Sequence, residues 1–225
     1  MNEFNKFENQ GYDFKVLMEK RVIGAGLRKS KCPFCFSKDR ERLIYLFLTN
    51  YVKFFETKNK FNLMHVAPEL NLQNELLTLP NLNYVSIDLN SELAKIKSDI
   101  TKLYFEDNFF DGIICSHVLE HISNDRKALL ELFRVLNNNG WAIIHVPTSL
   151  SLKNTFEDPL INSSQERELF FGQKDHVRIY GRDYITRLRG TGFKVKVIKP
   201  IKFLSSTEIM KYGLNPKEAI YFCKK

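Results

Sequence analysis

Between residues 61 and 146 apolar runs alternate with helical periods, and this alternation constrains the fold more than any other feature of the chain. FNLMHV (61–66) and LNYVSI (82–87) read as strands on either side of the helical NLQNELLTL (71–79), a strand–helix–strand unit within about thirty residues. FFDGIIC (109–115) reads as a buried strand and 124–136 as a helix. Asn137-Asn138-Asn139-Gly140 reads as a turn and WAIIHV (141–146) as the next strand. Strands and helices in alternation make a mainly parallel sheet, so the expected fold is α/β and doubly wound. No internal repeat points to a solenoid.

The flanks add to this unit. ERLIYLFLTNYVKFFETK (41–58) brings Leu43, Leu46, Phe47, Phe54 and Phe55 to one broad helical face and predicts a helix covering the core. Residues 148–180 have no sustained period, contain Pro159, and far exceed the usual connection of about 2–6 residues. A substrate-facing insertion or lid is expected there. The chain then reads as a helix over 182–189, a Gly-Thr-Gly stop at 190–192, and the strands FKVKVI and AIYFC as a hairpin-like pair. The expected organisation is an N-terminal extension over 1–60 and a main domain over 61–225 that carries the insertion 148–180.

A chain of 225 residues, 44% hydrophobic and 27% charged, can bury one substantial core and lies far from the composition of disorder. No apolar run approaches the roughly 18–20 residues that span a bilayer, and MNEFNKFENQGYDFK has no leader pattern, so the expected setting is cytoplasmic. Cys32, Cys35, Cys115 and Cys223 are too few and too unevenly spaced for a disulfide framework. The net charge of +8 comes from scattered lysines in a chain also rich in asparagine, a compositional bias rather than a nucleic-acid footprint.

In a doubly wound sheet ligands bind at the carboxyl ends of the strands, and polar residues gather there in this sequence. His65 closes the first strand, Asp88 follows the second, and Asp99 follows a short third. Ser116 and His117 follow the fourth, and His145 lies near the end of the fifth. With His121 one turn on and His176 in the insertion, all five histidines fall at this edge or in its lid. Each histidine alone reads equally well as the partner of a loop carbonyl; their shared placement is the signal.

The string FDGIICSHVLEHI, a helix, and then RVLNNNGWAIIHVP resemble the class I S-adenosylmethionine-dependent methyltransferases with a type 11-like domain, over roughly residues 61–198. The resemblance implies a seven-stranded Rossmann-like sheet, S-adenosylmethionine as cofactor, and methyl transfer. It implies that Asp88, with Leu89 beside it, holds the ribose hydroxyls, and that Asp99 accepts from the adenine amino group while Ile100 packs on the ring. Ser116 and His117 would border the methionine part. His121 matches the histidine of the LEHI signature. The usual glycine-rich first loop is replaced by His65-Val66-Ala67-Pro68-Glu69, where Ala67 stands in for glycine and Glu69 is expected to face the cofactor's amino group or sulfonium.

Asp175-His176-Val177-Arg178-Ile179-Tyr180 resembles the segment that returns over the active site in related small-molecule methyltransferases. His176 is the first candidate base, with His117 and His121 as others. Arg178 and Tyr180 are candidates for binding the acceptor, although Arg178 fits an internal salt bridge to Glu157, Asp158 or Asp175 equally well. The absence of an Asn/Asp-Pro-Pro-aromatic motif after the fourth strand favours a hydroxyl or amine of a small molecule as acceptor, an anionic one in keeping with Arg178. A cofactor-binding or scaffold protein without turnover is the alternative, prompted by the altered first loop. A dinucleotide enzyme lacks its G-x-G-x-x-G.

Cys32-Pro33-Phe34-Cys35 has the spacing of half a zinc site and resembles a cysteine knuckle ahead of the methyltransferase domain in the subgroup with the HVAPE loop. No second CxxC completes it, so it is read as a packed turn, and no metal ligand set is assigned. Arg40 and Arg42, just beyond it, point either into solvent, the default expectation, or toward the crevice, where they would favour an anionic acceptor. The sequence leaves the oligomeric state open.

Overall fold

The computed structural model describes residues 7–11 and 14–225. The N-terminal part comprises β1 (Glu8–Gln10), α1 (Lys15–Glu19), β2 (Val22–Ile23), β3 (Arg28–Lys31) and α2 (Asp39–Phe47). The central part comprises β4 (Phe61–Val66), α3 (Leu70–Leu77), β5 (Leu82–Asp88), β6 (Ile96–Lys97), β7 (Phe110–Ser116), α4 (Asp125–Val135) and β8 (Leu136–His145). There follow β9 (Thr148–Ser149), α5 (Ser164–Phe171), α6 (Tyr184–Arg189), β10 (Lys194–Ile198), α7 (Ser206–Lys211) and β11 (Ile220–Lys224).

Seven strands form one sheet in the order β10-β11-β8-β7-β4-β5-β6. β4 to β8 run parallel, and β11 is antiparallel to both of its neighbours. The expected mainly parallel, Rossmann-like sheet is therefore present. The order reverses at β4, whose neighbours are β5 on one side and β7 on the other. The crevice that such a reversal opens lies beyond the carboxyl ends of these strands.

Side chains alternate between two cores. Met64, Ile113 and Ile144 pack with Leu129 and Leu132 of α4 and Leu188 of α6. Their chain neighbours Leu63, Ile114 and Ile143 pack on the other face with Ile44 and Phe47 of α2, Leu72 and Leu76 of α3, and Ile209 of α7. Each such buried aliphatic or aromatic side chain contributes about 1.5–3 kcal/mol against its exposed state.

Two local expectations change. The single helix over 41–58 divides: α2 ends at Phe47, a wide turn covers Leu48–Val52, and Lys53 adopts a left-handed conformation (φ 57) that redirects the chain into a short turn at Phe54–Glu56. Phe54 still reaches the core, edge-on to Trp141 at 5.6 Å. The asparagine turn is absorbed into β8, which follows α4 without a break. Phe110 pairs with Leu136 and Gly112 with Trp141, so residues 137–140 bulge opposite Asp111 alone. Leu136 and Trp141 are both buried, and the bulge lets the chain bury both while Asn138 and Asn139 face solvent.

The N-terminal part is fastened to the sheet by specific bonds. β2 pairs with β9 (Val22↔Ser149, Ile23↔Thr148). Arg42 lies inward, not in solvent: it donates to Ser30 O (2.7 Å) and, 170 residues away, to Tyr212 O (2.8 Å) at the end of α7. Burial lowers its pKa against the pull of nearby acidic groups, Asp39 first. Hydrogen bonds to a charged donor contribute about 1.5–3 kcal/mol each, and Arg42→Met would leave half-buried carbonyls unpaired. We expect that variant to lose about 2–4 kcal/mol of unfolding free energy in urea titration.

Candidate active site

A crevice of about 490 Å³ opens at the carboxyl edge of the sheet, within the range of about 300–1,000 Å³ that holds small molecules. Its polar lining comes from Arg28, Lys38 and Arg40 of the N-terminal part and from His117, Glu120, His121 and His176. Arg28 was not expected there, and Arg40 takes the crevice-facing course rather than the solvent-facing one. Arg28 is held bidentately by Asp39 (2.6 and 2.8 Å), and Arg40 donates to Glu69 (3.1 Å). Both guanidiniums are therefore matched by a carboxylate, whereas Lys38 has no ion-pair partner among the described residues.

The first loop turns through Ala67, whose φ of 49 is left-handed and whose N–H donates to Ile87 O (2.8 Å). A single methyl group keeps the strain small where glycine would be free of it. His65 and Glu69 do not face the crevice as expected. His65 is fully buried, with Nδ1 2.9 Å from Tyr84 Oη and Nε2 3.1 Å from Glu69 Oε2, while the other oxygen of Glu69 takes Arg40. Burial alone would raise the Glu69 pKa, but the bonds from His65 and Arg40 outweigh it and hold the carboxyl at about 2. Its charge is consumed in fixing the loop to α2 and the N-terminal part.

Asp88 ends β5, and its Oδ1 accepts from the N–H groups of Asn90 and Ser91 (2.7 Å each). Leu89 beside it is 60% exposed. Asp99 follows β6 and accepts from Thr101 N–H (2.8 Å), and Ile100 is buried against the core. These residues lie beside the crevice on the β5–β6 side, outside its polar lining.

His117 follows β7 in a left-handed conformation (φ 54) and donates its N–H to His145 O (2.8 Å). Its Nδ1 lies 3.4 Å from Glu120, and His145 Nε2 lies 3.3 Å from Glu218. His121 Nδ1 is 3.2 Å from Asp175, and the rings of His121 and His176 meet edge-on at 4.7 Å. Burial lowers the His176 pKa to about 4, helped by His121 and opposed by Asp175, so its ring is neutral at pH 7. Burial also holds His117 well below the ordinary imidazole value, with Arg40 and His145 adding to the effect. Ser116 Oγ, His117 Nε2, His145 Nδ1, Glu218 Oε1 and both Glu120 oxygens are buried without a hydrogen-bond partner. Glu120 sits within the quoted SHVLEHI string, where its position between Leu119 and His121 was a usable signal. Glu218 is set only by the long return to β11, and nothing local in the sequence marks it.

Arg178 and Tyr180 are not free to bind an acceptor. Arg178 donates to Glu157 (2.7 Å) and to the carbonyls of Leu119 (2.9 Å) and Ser123 (2.9 Å). Tyr180 is fully buried and donates to Asp125 (2.8 Å). Val177 N–H adds a bond to Glu120 O (2.9 Å), so the insertion is riveted to the turn after β7. Orphan carbonyls of a short turn attract a guanidinium with several donors, and this wins over a solvent-facing role.

The sheet, its order reversal and the polar carboxyl edge are those of a Rossmann-like fold. Residues 69–144 match the family model of a methyltransferase domain. An uncharacterised protein of Methanocaldococcus jannaschii is 34% identical over 118 residues, 50% of this chain and 52% of that protein. The chain thus spans about half the length of the curated relative it matches. Among solved structures, a SAM-dependent methyltransferase from Archaeoglobus fulgidus superposes with a TM-score of 0.53 at 17% identity, covering 82% of this chain and 94% of the other. A Pyrococcus horikoshii protein superposes with a TM-score of 0.51 at 17% identity, covering 84% and 92%. These likenesses establish the fold.

The Glu69 ion pair has a pH signature. Its folded pKa of about 2 lies below the ordinary 4.5, so its contribution to stability is complete above pH 4.5 and is lost as pH falls towards 2. We expect Glu69→Gln to be less stable than wild type at pH 7 and to flatten the decline in melting temperature over that acid window. Parallel melting curves for the two proteins between pH 7 and 2 would contradict the assignment.

Proposed function

We propose that the chain is a methyltransferase that moves a methyl group from S-adenosylmethionine to a hydroxyl or amine of a small, anionic acceptor. The observation that carries this reading is the crevice at the carboxyl edge, with imidazoles kept neutral by burial on one wall and Lys38 on the other. Candidate cofactor residues at the same carboxyl edge support the reading. Asp88 and Leu89 suit the ribose, and Asp99 and Ile100 suit the adenine. The left-handed turn at Ala67 permits close approach, and the unpartnered Ser116 Oγ suits the methionine end. When bound, S-adenosylmethionine supplies a methyl group on a positively charged sulfur.

The protein's own part is to orient the acceptor, exclude water and accept a proton. His176, neutral and beside His121, is the first candidate base. His117 and His121 are the others. With Arg178 and Tyr180 committed to the scaffold, Lys38 takes over attraction of an acceptor carboxylate or phosphate. Among the described residues no helix is long and apolar enough to cross a membrane, and the four free thiols suit a cytoplasmic setting. The CPFC turn would belong to this unit as the element that presents Arg40 to the first loop.

Calorimetric titration with S-adenosylmethionine and S-adenosylhomocysteine tests the reading. Saturable binding is expected, weakened about 10- to 100-fold in Asp88→Ala, the loss of one or two charge-assisted hydrogen bonds. Transfer of a labelled methyl group to an acceptor should then fall about 10²- to 10⁴-fold in His176→Ala, the usual contribution of a base. Binding without transfer to any acceptor tried would favour the scaffold alternative, and no binding would overturn both.

A further inference from the structure

We propose that His117, His145 and Glu218 form a site for one divalent transition-metal ion at the floor of the crevice. One ligand atom from each lies within 4.8 Å of the other two. The pair His145 Nε2 and Glu218 Oε1, 3.3 Å apart, already has the spacing of two ligands on one ion, about 3.0–3.4 Å for metal–donor bonds of about 2.0–2.1 Å. Three separate stretches of chain, after β7, at the end of β8 and before β11, converge to make this group.

The cluster's unmet bonding is the second observation. Among the described residues His117 Nε2 and Glu218 Oε1 are buried without a hydrogen-bond partner, a costly arrangement if nothing engages them. With His145 Nε2 beside Glu218, two unengaged ligand atoms in one three-residue group are the pattern of a site awaiting an ion. The orientation of His117 agrees: Nδ1 faces the Glu120 carboxylate at 3.4 Å, which leaves Nε2 as the ligating nitrogen. A carboxylate behind a ligating imidazole is the usual arrangement at metal sites.

The surroundings fix access. His145 and Glu218 are buried at 2% and 4% exposure, whereas His117 lines the crevice. Gly24, which also lines the crevice, packs closely on the cluster: a Cβ there would lie 3.1 Å from Glu218 Oε1 and 3.6 Å from His117 Cε1, and its φ of +87 admits a side chain only with strain. Three protein ligands with the remaining position turned to the crevice describe a catalytic rather than a structural site. Two imidazoles and one carboxylate suit zinc, iron, cobalt or nickel, and suit magnesium or calcium poorly. Ion binding stands independently of the methyl-transfer reading; presentation of an acceptor oxygen to the ion rests on it, and would take His117 out of the set of candidate bases.

The test titrates the chelator-treated full chain with Zn²⁺ by calorimetry and with Co²⁺ by absorption, without S-adenosylmethionine. We expect one ion per chain and visible Co²⁺ bands, with no near-ultraviolet thiolate band of the kind Cys32 or Cys35 would produce. His145→Asn and Glu218→Gln, which keep side-chain volume, should each weaken binding about 100-fold or more, since losing even a supporting partner costs about 10- to 100-fold. Folding of both is checked by melting temperature. His176→Ala should bind as wild type does. Binding no tighter than millimolar, a thiolate band, wild-type affinity in both His145→Asn and Glu218→Gln, or loss of binding in His176→Ala would each overturn the proposal. The S-adenosylmethionine titration reads the other claim separately, so either can fail alone.

Discussion

A strand buried on both faces can place polar side chains only where it ends, and this constraint governs the rest of the molecule. β4, β7 and β8 carry apolar side chains into both cores, so His117 and His145 appear where these strands stop and His65 appears only with its own hydrogen-bond partners. Because β4 to β8 run parallel, those stops share one edge. The candidate chemistry is concentrated there by the same burial that stabilises the sheet.

Much of this was legible in the sequence because it is local. Period-2 and period-3.6 patterns specify strands and helices from neighbouring residues, and the histidines at strand ends could be counted once the strands were placed. What was not legible depends on contacts distant in sequence. The inward course of Arg42 requires Tyr212, and the buried His65–Glu69 pair requires Arg40 and Tyr84. Arg178 could be read either way, and the carbonyls of Leu119 and Ser123, more than fifty residues earlier in the chain, decide in favour of the scaffold. The asparagine run has turn composition, yet burial of Leu136 and Trp141 on either side of it overrides that local preference.

The N-terminal part, read from sequence as an added extension, is a wall of the crevice. Arg28, Lys38 and Arg40 line it, α2 completes one of the two cores, and β2 carries the chain to Gly24 above Glu218. Of the three cations it brings to the crevice, Arg28 is matched by Asp39 and Arg40 by Glu69, so toward the crevice it contributes shape and one ammonium group more than a broad positive field. The insertion closes the opposite wall in the same way, through paired charges: Arg187 bonds both Asp125 and Glu157, and Arg178 bonds Glu157.

The bulge at residues 137–140 lies at the opposite end of β8 from His145. Four residues of strand, 141–144, lie between the two, a separation of about 16 Å. Asn138 and Asn139 are exposed there and touch neither core. The molecule thus has one end where the sequence is held by chemistry and another where it answers only to the path of the chain. That second end offers a natural point of attachment: anchored through the asparagines, the protein would present its open crevice outward, away from whatever surface held it.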